Sequence, residues 1–328
     1  MGFKPRTHLG LADEWRRWIA EALHTGAAPH TVVEELVASG APRALAALEV
    51  DTIATANSSL SNRLRRAELA LELTASLMRG HDLETRTLCD RQTFRRDYLS
   101  THTPVIFSDV DALLGIADTW TPRYLLERAG DCTVRVSADR DADPRHYVHP
   151  EREFREMRLA SLVERIERLA ASGASNDVYM VSRNRALDGP LGVILDDIAA
   201  VPEFLRQDTW RRAVSLWLGP AGTHTPLHHD TSHILFCQIY GAKKLRLVQA
   251  SEPALLFGST HATFYTDVDP VEAGARVHDF LLTPGTGVYI PLGWWHEVDA
   301  LEPSISLSFT GFVDARANDT YRPGGFAV

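Results

Sequence analysis

The sequence predicts a mainly β protein with helical additions (α+β): a helical N-terminal region over residues 1–88, then a sandwich or barrel of short strands over 89–328. Three observations carry that expectation. Apolar residues recur at 3.6-residue spacing through the N-terminal part. Short β-rich runs punctuated by Gly and Pro follow from about Asp90. The 328 residues, 45% of them apolar, suffice for one large domain with an appendage or for two modest ones.

In chain order, Leu11, Trp15, Trp18, Ile19, Ala22 and Leu23 form a first helical stripe. Val32, Val33, Leu36 and Val37 begin a second after Pro29, and Leu60, Leu64, Ala67, Leu71, Ala75 and Met78 a third that stops at Gly80. These predict short packed helices acting as a cap or dimerisation element, with a homodimer through the Trp15/Trp18 stripe as one possible assembly. Pro104 to Phe107 and Thr133 to Val136 read as strands, and Leu159 to Ala171 as a helix. Beyond Asn176, strands are expected at 178–181, 213–218, 234–240, 243–248, 287–290 and 304–312.

Composition excludes several classes. A net charge of -9 argues against a general nucleic-acid binder, which needs a cationic surface to release counterions from phosphates. Cys89, Cys132 and Cys237 are an odd number without metal-type spacing, so neither a disulfide framework nor a zinc module is expected. No apolar leader and no bilayer-length apolar run is present, which makes a soluble, cytoplasmic protein without membrane contact the expectation.

Two distant segments carry the chemistry: Thr225-Pro226-Leu227-His228-His229-Asp230 and Tyr289-Ile290-Pro291-Leu292-Gly293-Trp294-Trp295-His296. In a strand, residues i and i+2 point the same way, so His228 and Asp230 can reach one ion while His229 looks elsewhere. His296 would come from another strand, re-aimed by the Pro291-Leu292-Gly293 bend. Two imidazoles and one carboxylate form the facial set that holds non-haem Fe(II) and leaves positions open for substrate and O₂. A lone His-x-Asp recurs by chance, so context carries the assignment, and His224, His229 and His233 leave an alternative register open. His233 is expected to support the ligands or face substrate, since a fourth ligand would fill a position the chemistry needs empty.

Reaction with O₂ also requires electrons, which a co-substrate such as 2-oxoglutarate could supply. Its far carboxylate would need a buried cation and hydroxyls. Lysine occurs only at Lys4, Lys243 and Lys244 among 34 basic residues, so the internal pair stands out. Gly241-Ala242 suits a type II′ hairpin between strands 234–240 and 243–248, in which Tyr240 opposes Lys243 and Lys243 shares a face with Phe236 and Gln238. An unbroken strand from 228 to 240 would be roughly 40 Å long, so a bend is expected at Thr231 to His233.

These residues resemble the JmjC or cupin-like Fe(II)/2-oxoglutarate oxygenases, particularly the hydroxylase branch that includes the asparaginyl hydroxylase of hypoxia-inducible factor. The resemblance rests on 225–230, Phe236 to Lys244, Val288 to His296 and Ser304 to Thr310, and covers roughly Cys89 to Phe312. It implies a double-stranded β-helix (jelly-roll or cupin) barrel, with Fe(II), 2-oxoglutarate and O₂ as cofactors and succinate and CO₂ as coproducts. It also implies that His228, Asp230 and His296 ligate the metal, that Lys243, Thr225 and Tyr179 hold the far carboxylate, and that Ser308 lines the pocket. His233 followed by Ile234 departs from the family's frequent Asn after the His-x-Asp. Arg183, Asn184 and Arg185 are candidates for the mouth of the site or for a surface loop.

The function expected is hydroxylation of a C–H bond, on an amino-acid side chain within a peptide or protein or on a free amino acid. The competing class is a non-oxidative metal-binding cupin used for binding or structure.

Overall fold

The computed structural model describes residues 11, 13–78, 83–142, 154–181, 185–253, 255, 265–266 and 268–314. The chain divides into two compact units, Met1–Thr74 and Ala75–Val328.

The first unit is helical: α1 (Asp13–His24), α2 (Pro29–Ala38) and α3 (Arg43–Met78). Ile19, Val32, Leu36, Ala46 and Val50 form its core, and Arg16 donates to both carboxylate oxygens of Glu49 at 3.0 and 2.6 Å. The third apolar stripe is not a separate short helix. It is the later part of the 36-residue α3, because Gly40 and Pro42 are the last breakers before Gly80 and the intervening Ala/Leu/Glu-rich sequence propagates helix. The stripe's side chains at Leu60, Leu64, Ala75 and Met78, and Gly80, lie outside the described residues.

The second unit holds β1 (Glu84–Arg86), β2 (Val105–Phe107), β3 (Thr133–Ala138), β4 (Phe154–Arg158), β5 (Val178–Tyr179), β6 (Val214–Gly219) and β7 (His224–His229). It continues with β8 (Ile234–Tyr240), β9 (Lys243–Val248), β10 (Val277–Leu282), β11 (Gly287–Ile290), β12 (Trp295–Ala300) and β13 (Ser304–Phe309). Helices α4 (Arg91–Phe94), α5 (Asp111–Leu114), α6 (Pro122–Ala129) and α7 (Leu159–Ser172) accompany them. The strands make a six-stranded sheet in the order β1-β2-β11-β8-β13-β6, a four-stranded sheet β10-β9-β12-β7, and an accessory sheet β4-β3-β5.

Ile106, Phe236, Leu245, Leu247, Val288 and Ile290 come from both larger sheets and form one core, so these sheets enclose an interior as a jelly-roll does. The six-stranded sheet buries its other face as well: Leu235, Cys237, Ile239 and Leu307 pack with Leu125 of α6 and Leu162 and Ile166 of α7. Burial on both faces explains why β8 reads as a nearly continuous apolar run.

The expected hairpin does not form. β8 lies between β11 and β13, whereas β9 lies between β10 and β12, so Gly241-Ala242 carries the chain from one sheet to the other. Tyr240 faces Ile305, and Lys243 faces Ala300 and Leu282. Gly241 has φ +69°, and a Cβ there would collide with the Pro303 carbonyl, so the crossover needs glycine. Strand limits also move: β5 is two residues long with Met180 bridged to Leu218, and β13 ends at Phe309. β4 and β10 show no clean apolar alternation and had no counterpart in the sequence pattern.

Candidate metal and co-substrate site

β7 and β12 pair antiparallel with His228 directly opposite His296, which brings residues far apart in sequence to a ring-centroid separation of 4.1 Å. A bulge between His296 and Val298 shifts the ladder beside them. β7 ends at His229, and the chain bends at Thr231 and Ser232 before β8, so Asp230 sits at the turn from one sheet to the other. Gly293, at φ +81°, donates its N–H to the Asp230 carbonyl at 3.2 Å, which clips the Pro291-Leu292-Gly293 bend to the acid-bearing turn.

The side chains converge. One ligand atom from each of His228, Asp230 and His296 lies within 4.8 Å of the others. Nδ1 of His228 donates to the Pro226 carbonyl at 2.8 Å and Nδ1 of His296 to the Trp294 carbonyl at 3.0 Å. Both imidazoles therefore turn an Nε2 lone pair toward Asp230, whose Oδ2 lies 3.5 Å from His296 Nε2. Burial, reinforced by the neighbouring His296, pushes His228 down to about 4, which keeps it neutral and able to ligate at physiological pH.

These groups line a pocket between the sheets, together with Tyr179, Thr225, Ser308, Trp217 and an apolar wall of Ile234, Phe236, Leu245 and Ile290. Lys243 is 0% exposed, in phase with Leu245 and Leu247 on the inward face of β9, while Lys244 and Arg246 point out. Its Nζ donates to Tyr179 Oη at 3.0 Å and lies 5.2 Å from the Phe236 ring centroid. Among the described residues no carboxylate pairs with it, and burial pushes its pKa down to about 7. Burial likewise raises the Tyr179 phenol well above its ordinary range.

Trp217 Nε1 donates to Ser308 Oγ at 2.9 Å, which leaves the serine proton free to donate toward the cavity. A divalent cation fits the two imidazoles and carboxylate, and an anion fits a buried ammonium flanked by hydroxyls.

The neighbouring histidines separate cleanly. His224 Nδ1 lies 2.7 Å from Asp299 and belongs to an outward polar row that includes Glu297. His229 packs edge-on against Trp295. His233 is buried, and its Nδ1 accepts from Tyr289 Oη at 2.7 Å and Leu292 N–H at 3.2 Å. Arg185 is exposed and pairs with Asp188, while Arg183 and Asn184 lie outside the described residues. Sequence reasoning missed Trp217, although strand parity with Gly219 and Ser215 places it inward. It also missed Tyr265, whose ring stacks on His228 at 5.3 Å and which no local pattern signals.

The model of the cupin-like domain matches residues 91–309, about two thirds of the chain. The chain belongs to the cupin-like domain family. It is 28% identical over 240 residues to lysine-specific demethylase JMJ30 of Arabidopsis thaliana, covering 69% of this chain and 54% of that protein. It is 27% identical over 201 residues to Jumonji C domain-containing protein 5 of Drosophila melanogaster, covering 57% and 48%. With lysine-specific demethylase 8 of Xenopus tropicalis it shares 26% over 230 residues, 66% of this chain and 49% of the relative. The chain thus spans about half the length of the curated relatives it matches. The JmjC oxygenases of this cupin-like family use Fe(II), 2-oxoglutarate and O₂. Among the described residues no helix is long and apolar enough to cross a membrane.

Proposed function

We propose that this chain is an Fe(II)/2-oxoglutarate-dependent oxygenase that hydroxylates a C–H bond, on an amino-acid side chain of a peptide or protein. Residues 89–328 would carry the reaction. The observation that carries this reading is the burial of Lys243, paired among the described residues with a phenol and no carboxylate, where it holds Tyr179 at the cavity shared with His228, Asp230 and His296. A module that only bound metal would have no use for a desolvated ammonium there.

In this reading His228, Asp230 and His296 hold Fe(II), and Lys243, Tyr179 and Thr225 hold the far carboxylate of 2-oxoglutarate, with Ser308 donating along the wall. When bound, the metal and co-substrate supply the O₂ chemistry, in which 2-oxoglutarate leaves as succinate and CO₂ and one oxygen atom enters the C–H bond. The chain contributes orientation and dryness. The Pro226 and Trp294 carbonyls fix both imidazole tautomers, Trp217 fixes the Ser308 hydroxyl, and the Phe236, Leu245 and Ile290 side chains keep bulk water from the reacting centre. Two of the relatives carry the name lysine-specific demethylase; loss of an N-methyl group begins with the same C–H hydroxylation, so a methylated side chain is the second substrate to test.

Anaerobic titration of Fe(II) into metal-free protein, followed by 2-oxoglutarate, tests the reading. A weak visible charge-transfer band that forms with 2-oxoglutarate and bleaches with O₂ is expected. Tight metal binding with no band and no succinate would move the assignment to a non-oxidative cupin.

A further inference from the structure

Arg140 is a second buried basic residue beside the co-substrate cavity, and no role assigned above uses it. It is 4% exposed, the one arginine counted as buried among the described residues. It follows β3 directly, after Asp139 turns the backbone at φ +62°, and its own N–H bonds the Asp177 carbonyl at 3.2 Å, just before β5. Its Nη2 donates to the His224 carbonyl on β7 at 2.7 Å, one residue before Thr225. Its guanidinium carbon stands 5.3 Å from the Tyr179 ring centroid, within cation–π range.

Tyr179 is thus gripped on several sides. Arg140 covers its ring, Lys243 holds its oxygen, and Gly219 backs it so closely that a Cβ there would fall 2.6 Å from the ring. β5, which carries Tyr179, belongs to the accessory sheet, whereas Thr225 belongs to the four-stranded sheet. Arg140 touches both elements.

We propose that Arg140 is a positioning residue for the co-substrate: it fixes Tyr179 and Thr225 relative to each other so that both meet one carboxylate of a 2-oxo dicarboxylic acid. The accessory sheet then sets co-substrate affinity through this contact. The proposal rests on the function proposed above.

The test uses the full chain loaded with Zn(II), which binds the ligand set without turnover, and measures 2-oxoglutarate affinity by calorimetry. Arg140→Met is expected to weaken 2-oxoglutarate binding by about 10- to 100-fold while Zn(II) affinity stays within about twofold. Arg140→Lys, which keeps the charge without the fork, recovers part of the loss and serves as the test variant should Arg140→Met fail to fold. In a Tyr179→Phe background the effect of Arg140→Met shrinks, because part of its action runs through the phenol. Unchanged 2-oxoglutarate affinity, a parallel loss of Zn(II) affinity, or full additivity with Tyr179→Phe would each overturn the role. If the Zn(II)-loaded parent binds no 2-oxoglutarate, the proposed function itself fails and the inference with it, a result distinct from parent binding that Arg140→Met leaves intact.

Discussion

Replacing Lys243 with Met should stabilise the metal-free protein at low pH while abolishing co-substrate binding. The lysine is fully buried with the Tyr179 hydroxyl as its hydrogen-bond partner among the described residues, and its pKa falls from 10.5 to about 7. Between those values the unfolded chain binds a proton that the folded chain does not, so stability rises with pH through that window and the full cost stands below pH 7. At about 1.4 kcal/mol per pH unit the cost reaches roughly 5 kcal/mol as a ceiling. Met fills similar volume without charge but leaves Tyr179 Oη unpaired, which costs about 1–3 kcal/mol. The net gain for Lys243→Met is then about 2–4 kcal/mol at pH 6, and it shrinks toward zero or reverses by about pH 10. Urea unfolding of metal-free parent and variant at pH 6, 7.5, 9 and 10, read by near-UV circular dichroism, isolates this one group, because every other titration is shared. A stability difference that does not change with pH, or one that favours the parent more at pH 6 than at pH 9, would refute the buried ammonium with no carboxylate beside it.

Four further outcomes follow from the same geometry. Calorimetry at pH 8 in buffers of different ionisation enthalpy should show uptake of roughly 0.9 proton when 2-oxoglutarate binds the Zn(II)-loaded protein, because the arriving carboxylate recharges Lys243; uptake near zero would mean the lysine was already charged. Asp230→Ala should lose Fe(II) binding and substrate-independent 2-oxoglutarate turnover together, and turnover at the parent rate would remove Asp230 from the ligand set. Gly219→Ala should push the Tyr179 ring and weaken 2-oxoglutarate binding by about tenfold with metal affinity retained, measured by the same calorimetry. His233→Phe leaves the Tyr289 hydroxyl and the Leu292 N–H without their acceptor and should destabilise by about 2–4 kcal/mol in urea unfolding.

The β-rich second part, the three ligand candidates and the prominence of Lys243 are all legible along the chain. Each rests on local periodicity or on residue chemistry that is visible along one strand. The bend at Thr231 and Ser232 was legible because an unbroken strand through His228 and Tyr240 would overrun the domain. The strand pairings, by contrast, come from packing between distant segments. The inward aim expected for Lys243 was tied to a hairpin with β8, yet it arises in a different sheet, from its phase with Leu245 and Leu247. A glycine turn reads the same in sequence whether it closes a hairpin or crosses between sheets; the choice is made by the two apolar interiors that β8 must fill on its opposite faces. Arg140 was silent for the same reason: its partner His224 lies 84 residues away, and long-range register, which no local pattern encodes, brings them together. For Trp217 the inward face is legible from strand parity, but its partner Ser308, 91 residues away, is not.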